Sequence, residues 1–381
     1  MPFERLWNFF KRHRRKILYS GVLIGGTYLT FQYFKKKLHE FQEKEAAECI
    51  DLARRQHHFD SNQRTCNMTV LSMLPNLRES LRRSMDTEKI KASIESQTGN
   101  KLDLWEELKV MSFSRSITAA YSSSILVVLL RVQLNIMGGY LYLDNFLHRV
   151  DQVESDVRVL IPSITQEKYL SLIQFFITKG VDELSMAVHA AVKSTVGSVS
   201  LKEKLSLGDV QNYLEKIRMK LECGVVQGSS TIPTSPLCHF MLPPEQVQDF
   251  SADSLPEEVV YEELLAQTRD MIDSEDFHSV LQVCVNKAFA RFMDFLMEGY
   301  RAFLSTVTGE ASGSKSIHDN KVPLAKLIPV VNGIMVRLCG DSPNPFIQEL
   351  LVMEPLRDLA ANVYEAFSQQ DESCHRLGLT R

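Results

Sequence analysis

Strand patterning is scarce in this 381-residue chain, which argues against sheet-based folds at the outset. No G-x-G-x-x-G and no G-x-S-x-G occurs. Neither a dinucleotide-binding turn nor a nucleophile elbow is therefore present in its usual form. The seven cysteines, Cys49, Cys66, Cys223, Cys238, Cys284, Cys339 and Cys374, are odd in number and widely spaced, with no C-x-x-C. That spacing speaks against a disulfide framework and for a reducing compartment. The sequon Asn67-Met68-Thr69 has meaning only in a secretory lumen and is discounted. His57-His58 and Cys238-His239 are adjacent pairs whose neighbours supply no second set of zinc ligands. Acidic pairs such as Glu106-Glu107 and Glu262-Glu263 diverge on a helix and read as solvated faces. No fixed-period repeat is visible. The chain reads as non-enzymatic, with no cofactor and no metal.

The net charge of −4 is too mild for a general nucleic-acid binder, but it is unevenly placed. Residues 1–45 hold ten Lys/Arg against four Asp/Glu, a local balance of +6 that leaves about −10 on the rest. Within that basic end, Ile17 to Phe34 carries no charge. Eighteen helical residues cover about 27 Å, close to a hydrocarbon core of roughly 30 Å. Lys11, Arg12, Arg14, Arg15 and Lys16 precede it, and Lys35, Lys36 and Lys37 follow. Both clusters can snorkel to phosphates, and Tyr19, Tyr28, Tyr33 and Phe34 lie toward the ends, where rings favour the interface. A cleaved signal needs small residues after the apolar run. Here the run ends in Phe31, Tyr33 and Phe34, so a retained transmembrane anchor is the better reading. Its orientation stays open on these residues. The larger basic cluster favours a cytosolic N-terminus, while the cysteines favour a cytosolic body.

The remainder shows helical periodicity. Phe41, Ala46, Cys49, Ile50 and Ala53 recur at mostly helical spacing. Val181, Leu184, Val188, Ala191, Val192 and Val196 share a face, as do Val210, Tyr213, Leu214, Ile217 and Leu221. A long stripe runs from Phe277 to Leu296, and a last one from Leu350 through Leu356, Leu359 and Val363 to Phe367. Ser163-x-x-Gln166 and Ser200-x-x-Glu203 match capping boxes, and Ser274 precedes two acids at a predicted start. Pro329 predicts a kink or break. Residues 223–256, with five of the thirteen prolines, and 307–321, polar and glycine-rich, read as loops. The expected fold is all-α, a single N-terminal transmembrane helix followed by a large elongated helical bundle. Its expected parts are a basic targeting segment 1–16, an anchor 17–34, a membrane-proximal helix 35–60 and a bundle 61–381.

Residues 117–143 are long and apolar enough for a second span. Arg131 interrupts them, at an insertion cost of about 2.5–3.5 kcal/mol. A helix apolar on every side also suits the centre of a large bundle, and a buried core helix is preferred. One further stripe stands out. Lys101, Leu104, Trp105 and Leu108 lie at i, i+3, i+4 and i+7, and Trp105 is one of only two tryptophans. Periodicity divides evenly between Trp105 as interface anchor and Trp105 as core residue.

Several stretches resemble the animal-type peroxin-3 family of peroxisomal membrane biogenesis proteins. They are WNFFKRHRRK (7–16), NQRTCNMTVLSMLPNLRE (62–79), NKLDLWEELKVMSF (100–113), VVLLRVQLNIMGGYLYLDN (127–145), PLAKLIPVVNG (323–333) and AANVYEAFS (360–368). The likeness follows the same order over most of the chain. It is weak near 144–165, 223–258, 300–320 and the last dozen residues, and nothing functional is carried into those parts. The resemblance implies a peroxisomal membrane protein with its N-terminus in the matrix and its bulk in the cytosol. Lys11, Arg12, Arg14, Arg15 and Lys16, with the span, would be its targeting signal, held in peroxisomal membrane lipids. It further implies docking of peroxin-19, whose amphipathic helix would lie in an apolar groove at Ile94, Lys101, Leu104, Trp105 and Leu108, with Lys326 nearby. Gly138 and Gly139 are expected to allow close helix packing. A general tether for inheritance or degradation factors is the alternative.

Overall fold

The structure is a computed structural model that describes residues 2–96, 100–150, 160–222, 237–244, 256–308 and 320–369, with the side chains of these residues from 31 onward except at 148–150, 256 and 306–308. The chain divides into two compact units, residues 1–60 and 61–381. Helix α1 is Pro2–Ser84. There follow α2 (Thr87–Glu95), α3 (Lys101–Val150), α4 (Ser163–Leu170), α5 (Leu172–Phe175), α6 (Val181–Val196) and α7 (Leu207–Glu222). The series continues with α8 (Pro256–Ile272), α9 (Glu275–Thr308), α10 (Leu324–Leu338), α11 (Pro345–Leu351) and α12 (Glu354–Ser368). One turn of π-helix, Phe176–Gly180, joins α5 to α6. The strand content among the described residues is one antiparallel pair, β1 (Lys204–Leu205) with β2 (Val322–Pro323).

Helix α3 forms the axis of the second unit and packs on α12, α10, α6, α9 and α2. Its length and apolarity would let it cross a membrane, yet 89% of its apolar window is buried inside the protein. Many of its buried polar side chains are hydrogen-bonded internally, although Ser112 Oγ and the Nε atoms of Arg115 and Arg131 have no partner. Ser114, Thr118, Ser123 and Ser124 donate to carbonyls one turn back at 2.7–2.9 Å. Arg131, which looked like an obstacle to insertion, donates to Gln63, to Asn67 and to the Leu351 carbonyl. The segment 117–143 is thus a core helix in this fold.

Gly138 and Gly139 sit where α3 is approached closely. A Cβ on Gly139 would stand 2.8 Å from the backbone carbon of Phe367 in α12. One on Gly138 would stand 2.6 Å from the Asn62 side-chain nitrogen. The α6 and α7 stripes are buried as their spacing predicts, apart from the half-buried Tyr213. The 41–53 stripe is helical but exposed.

Four local expectations are corrected. The 350–367 stripe is two helices, broken at Val352 and Met353, with Pro355 opening α12. At Ser163 the helix has already begun: Pro162 is the N-cap, and Gln166 bonds the Ile161 carbonyl. Ser200–Glu203 leads into β1, and the real start signal is Ser206 with Asp209, which exchange hydrogen bonds ahead of α7. Of the kink or break expected at Pro329, the break does not occur, since α10 runs through that residue. Ser274 does cap α9, accepting from the Phe277 amide at 3.2 Å. Most of the two expected loops lies outside the described residues.

Candidate functional site

A second apolar cluster is separate from the main core. Ile90 of α2, Leu108 of α3, Leu201 and Ile328 of α10 are its buried members. Ile94, Trp105, Met111 and Ala325 pack on it while remaining only partly buried. Each element contributes through local periodicity: Ile90 and Ile94 one turn apart on α2, Trp105, Leu108 and Met111 along α3, Ala325 and Ile328 on α10. Asp86 fixes the start of α2 by accepting from the Lys89 amide at 3.0 Å. The result is a small apolar cluster to which α2, α3, α10 and the segment holding Leu201 all contribute.

Of the residues singled out from sequence, Ile94, Trp105 and Leu108 come together in this cluster. Leu104 is half-buried and outside it, and Lys101 and Lys326 are exposed. Leu102, not singled out, is 61% exposed. Ile90, Met111, Ala325 and Ile328 were missed, although each falls at i+3 or i+4 from a partner. Leu201 follows no helical register and left no signal. The side chains of Lys11, Arg12, Arg14, Arg15 and Lys16 lie outside the described residues. Phe31, Tyr33 and Phe34, at the end of the apolar run, are exposed.

Reactive chemistry finds little footing among the described residues. None of the five described cysteines is bonded to another. Burial pushes the Cys66 thiol up to about 11, and Cys238, Cys284 and Cys339 up to about 12. Such thiols are almost wholly protonated and poorly nucleophilic at neutral pH. Cys238 and His278 meet at 3.2 Å, but no third His, Cys, Asp or Glu joins them in a metal-holding group. A cavity of about 740 Å³ between α1, α3 and α6 contains Ser84, Asp182 and His189. There Ser84 bonds Asp182 directly. The imidazole takes no part, so a nucleophile–base–orienter sequence is not assembled.

The fold defines an almost wholly helical module with a small apolar cluster set apart from its main core. A family model described as Peroxin-3 matches residues 8–100 and 91–366. Peroxisomal biogenesis factor 3 of Rattus norvegicus is 45% identical over 370 residues, spanning 95% of this chain and 97% of its own length. The Homo sapiens protein of the same name is 45% identical over 369 residues, at 95% and 97%. Peroxisome biogenesis protein 3-1 of Arabidopsis thaliana is 26% identical over 366 residues, at 90% and 92%. The chain belongs to the peroxin-3 family.

Proposed function

We propose that this chain serves peroxisome biogenesis as a membrane docking receptor for peroxin-19. The observation that carries the reading is the small cluster under Trp105. It is apolar, separate from the core, and leaves a large aromatic side chain partly exposed at its edge. A visiting amphipathic helix with apolar residues at i, i+3/i+4 and i+7 matches such a surface. Lys101 and Lys326, both exposed, suit acidic residues flanking the visitor's apolar face. Binding at the membrane would concentrate cargo beside the bilayer it enters.

Residues 17–34 are the proposed tether and, with the basic residues before them, the targeting signal. The proposed topology has the N-terminus in the matrix and the bundle in the cytosol. The four buried, unpaired thiols are consistent with that reducing side.

Calorimetry with the full chain in detergent tests the docking. Trp105→Ala is expected to weaken peroxin-19 binding by at least about 2 kcal/mol, the scale of an interface hot spot. An unchanged affinity in a variant that melts like the parent would refute it. A general tether acting through another surface predicts that unchanged affinity.

A further inference from the structure

Lys109 follows Leu108 on α3 and is wholly enclosed, at 0% exposure. An ammonium carries three hydrogens and no acceptor, so full burial demands three partners. Lys109 has three: the Glu106 carboxylate, the Gly197 carbonyl at 3.0 Å and the Val199 carbonyl at 2.7 Å. Gly197 is the C-cap of α6, where a helix presents partial negative charge. The side chain therefore ties α3 to the end of α6 and to the loop that leaves it.

That loop reaches the apolar cluster twice. It carries Leu201, one of the four buried members. The Leu201 carbonyl also accepts from the Ala325 amide at 3.0 Å, and the Glu203 carbonyl accepts from the Leu324 amide at 2.9 Å. The β1–β2 pair continues the same junction. Hence the start of α10, with Ala325 and Ile328, is hung on the loop, and the loop is held to α3 by Lys109. Three separate parts of the groove meet through one side chain that does not belong to its apolar surface.

We infer that Lys109 is a positioning residue for the groove. It sets the spacing between the α3 wall and the α10 wall and keeps the floor formed while the groove is empty. The visiting helix does not touch it. Apolar contact cannot supply this role, because a cluster with four buried members constrains orientation weakly, whereas buried hydrogen bonds to charge fix it. Removing the ammonium leaves two carbonyls of the loop without their donor, and the loop must shift to find water.

The inference rests on the docking reading, and the test separates the two. Hydrogen exchange is followed in the full chain in detergent, with peroxin-19 affinity measured alongside. In Lys109→Met the amides of Leu324 and Ala325 are expected to exchange at least tenfold faster, while the α12 amide of Val363 keeps its rate. Peroxin-19 affinity is expected to fall at least tenfold. Lys109→Gln, which keeps a donor and most of the reach, is expected between the parent and Lys109→Met on both readouts. Unchanged exchange at Leu324 and Ala325 overturns the inference, whatever happens to binding. Faster exchange with unchanged affinity overturns it as well. If Lys109→Met does not fold, Lys109→Gln supplies both readouts and is judged against the parent. A parent chain that does not bind peroxin-19 overturns the docking reading instead, and the exchange arm still judges the Lys109 tie by itself.

Discussion

Two adjacent glycines on α3 separate what a single Cβ meets in this core. At Gly139 the obstacle is the α12 backbone at Phe367, which cannot swing aside. At Gly138 it is the end of the Asn62 side chain, which can move if it gives up its bonds to the Leu134 carbonyl and to Asn135. Gly139→Ala is therefore expected to destabilise by about 1–3 kcal/mol, the cost of overpacking. Gly138→Ala loses less, about 1 kcal/mol for displaced hydrogen bonds. Both gain the same helix propensity, so denaturant unfolding reads the difference directly; equal losses would show that α12 yields as easily as a side chain. At this scale the sequence was partly legible. Trp105 and Leu108 announced themselves by spacing and Ile94 by family likeness. Leu201 sits in a loop, where no period exists to betray it. Lys109 looks like an ordinary solvated lysine until the loop after α6 folds over it.

Helices were easier to read than the signals that bound them. The α6 and α7 stripes are buried because a 3.6-residue period leaves an amphipathic segment one way to face a core. Capping boxes failed at Ser163 and Ser200 because the pattern is short and tertiary pairing chose other starts. Among contacts between elements, none of the charged ones was visible in sequence. Glu349 of α11 meets Lys287 and Arg291, one turn apart on α9, at 2.5–2.8 Å. Lys287, and then Arg291, hold its carboxyl below the ordinary value near 4.5, against the opposing effect of burial. A carboxyl with a depressed folded-state pKa stabilises above its unfolded pKa, and that contribution fades as pH falls through the folded value. Melting temperature should thus fall between pH 7 and pH 3 by more in the parent than in Glu349→Gln. The pair is partly exposed and contributes about 1 kcal/mol or less. Identical pH slopes would mean the clasp holds no preferential charge.

At the scale of the molecule, the likeness to peroxin-3 proteins gives the two units different proposed tasks, one in the bilayer and one facing the partner. The proposed anchor at 17–34 is an expectation from composition alone, because a bilayer imposes length and apolarity without regard to fold. The core status of 117–143 was readable only as a preference. Length cannot distinguish a lipid environment from a protein one; what decides is whether Arg131 finds Gln63, Asn67 and Leu351, residues remote in sequence. The apolar cluster was legible in its α3 members and not in those of α10, which meet it beside the loop and β-pair after α6.

The location of the partner is the claim on which the rest depends. A photoreactive residue placed at Leu104 leaves Trp105 intact beside the groove, and one at Met219 sits on an exposed face of α7. In membranes carrying the full chain, illumination in the presence of peroxin-19 is expected to give cross-links from position 104 and none above background from position 219. Equal yields at the two positions, or capture from 219 alone, would contradict docking in the Trp105 groove.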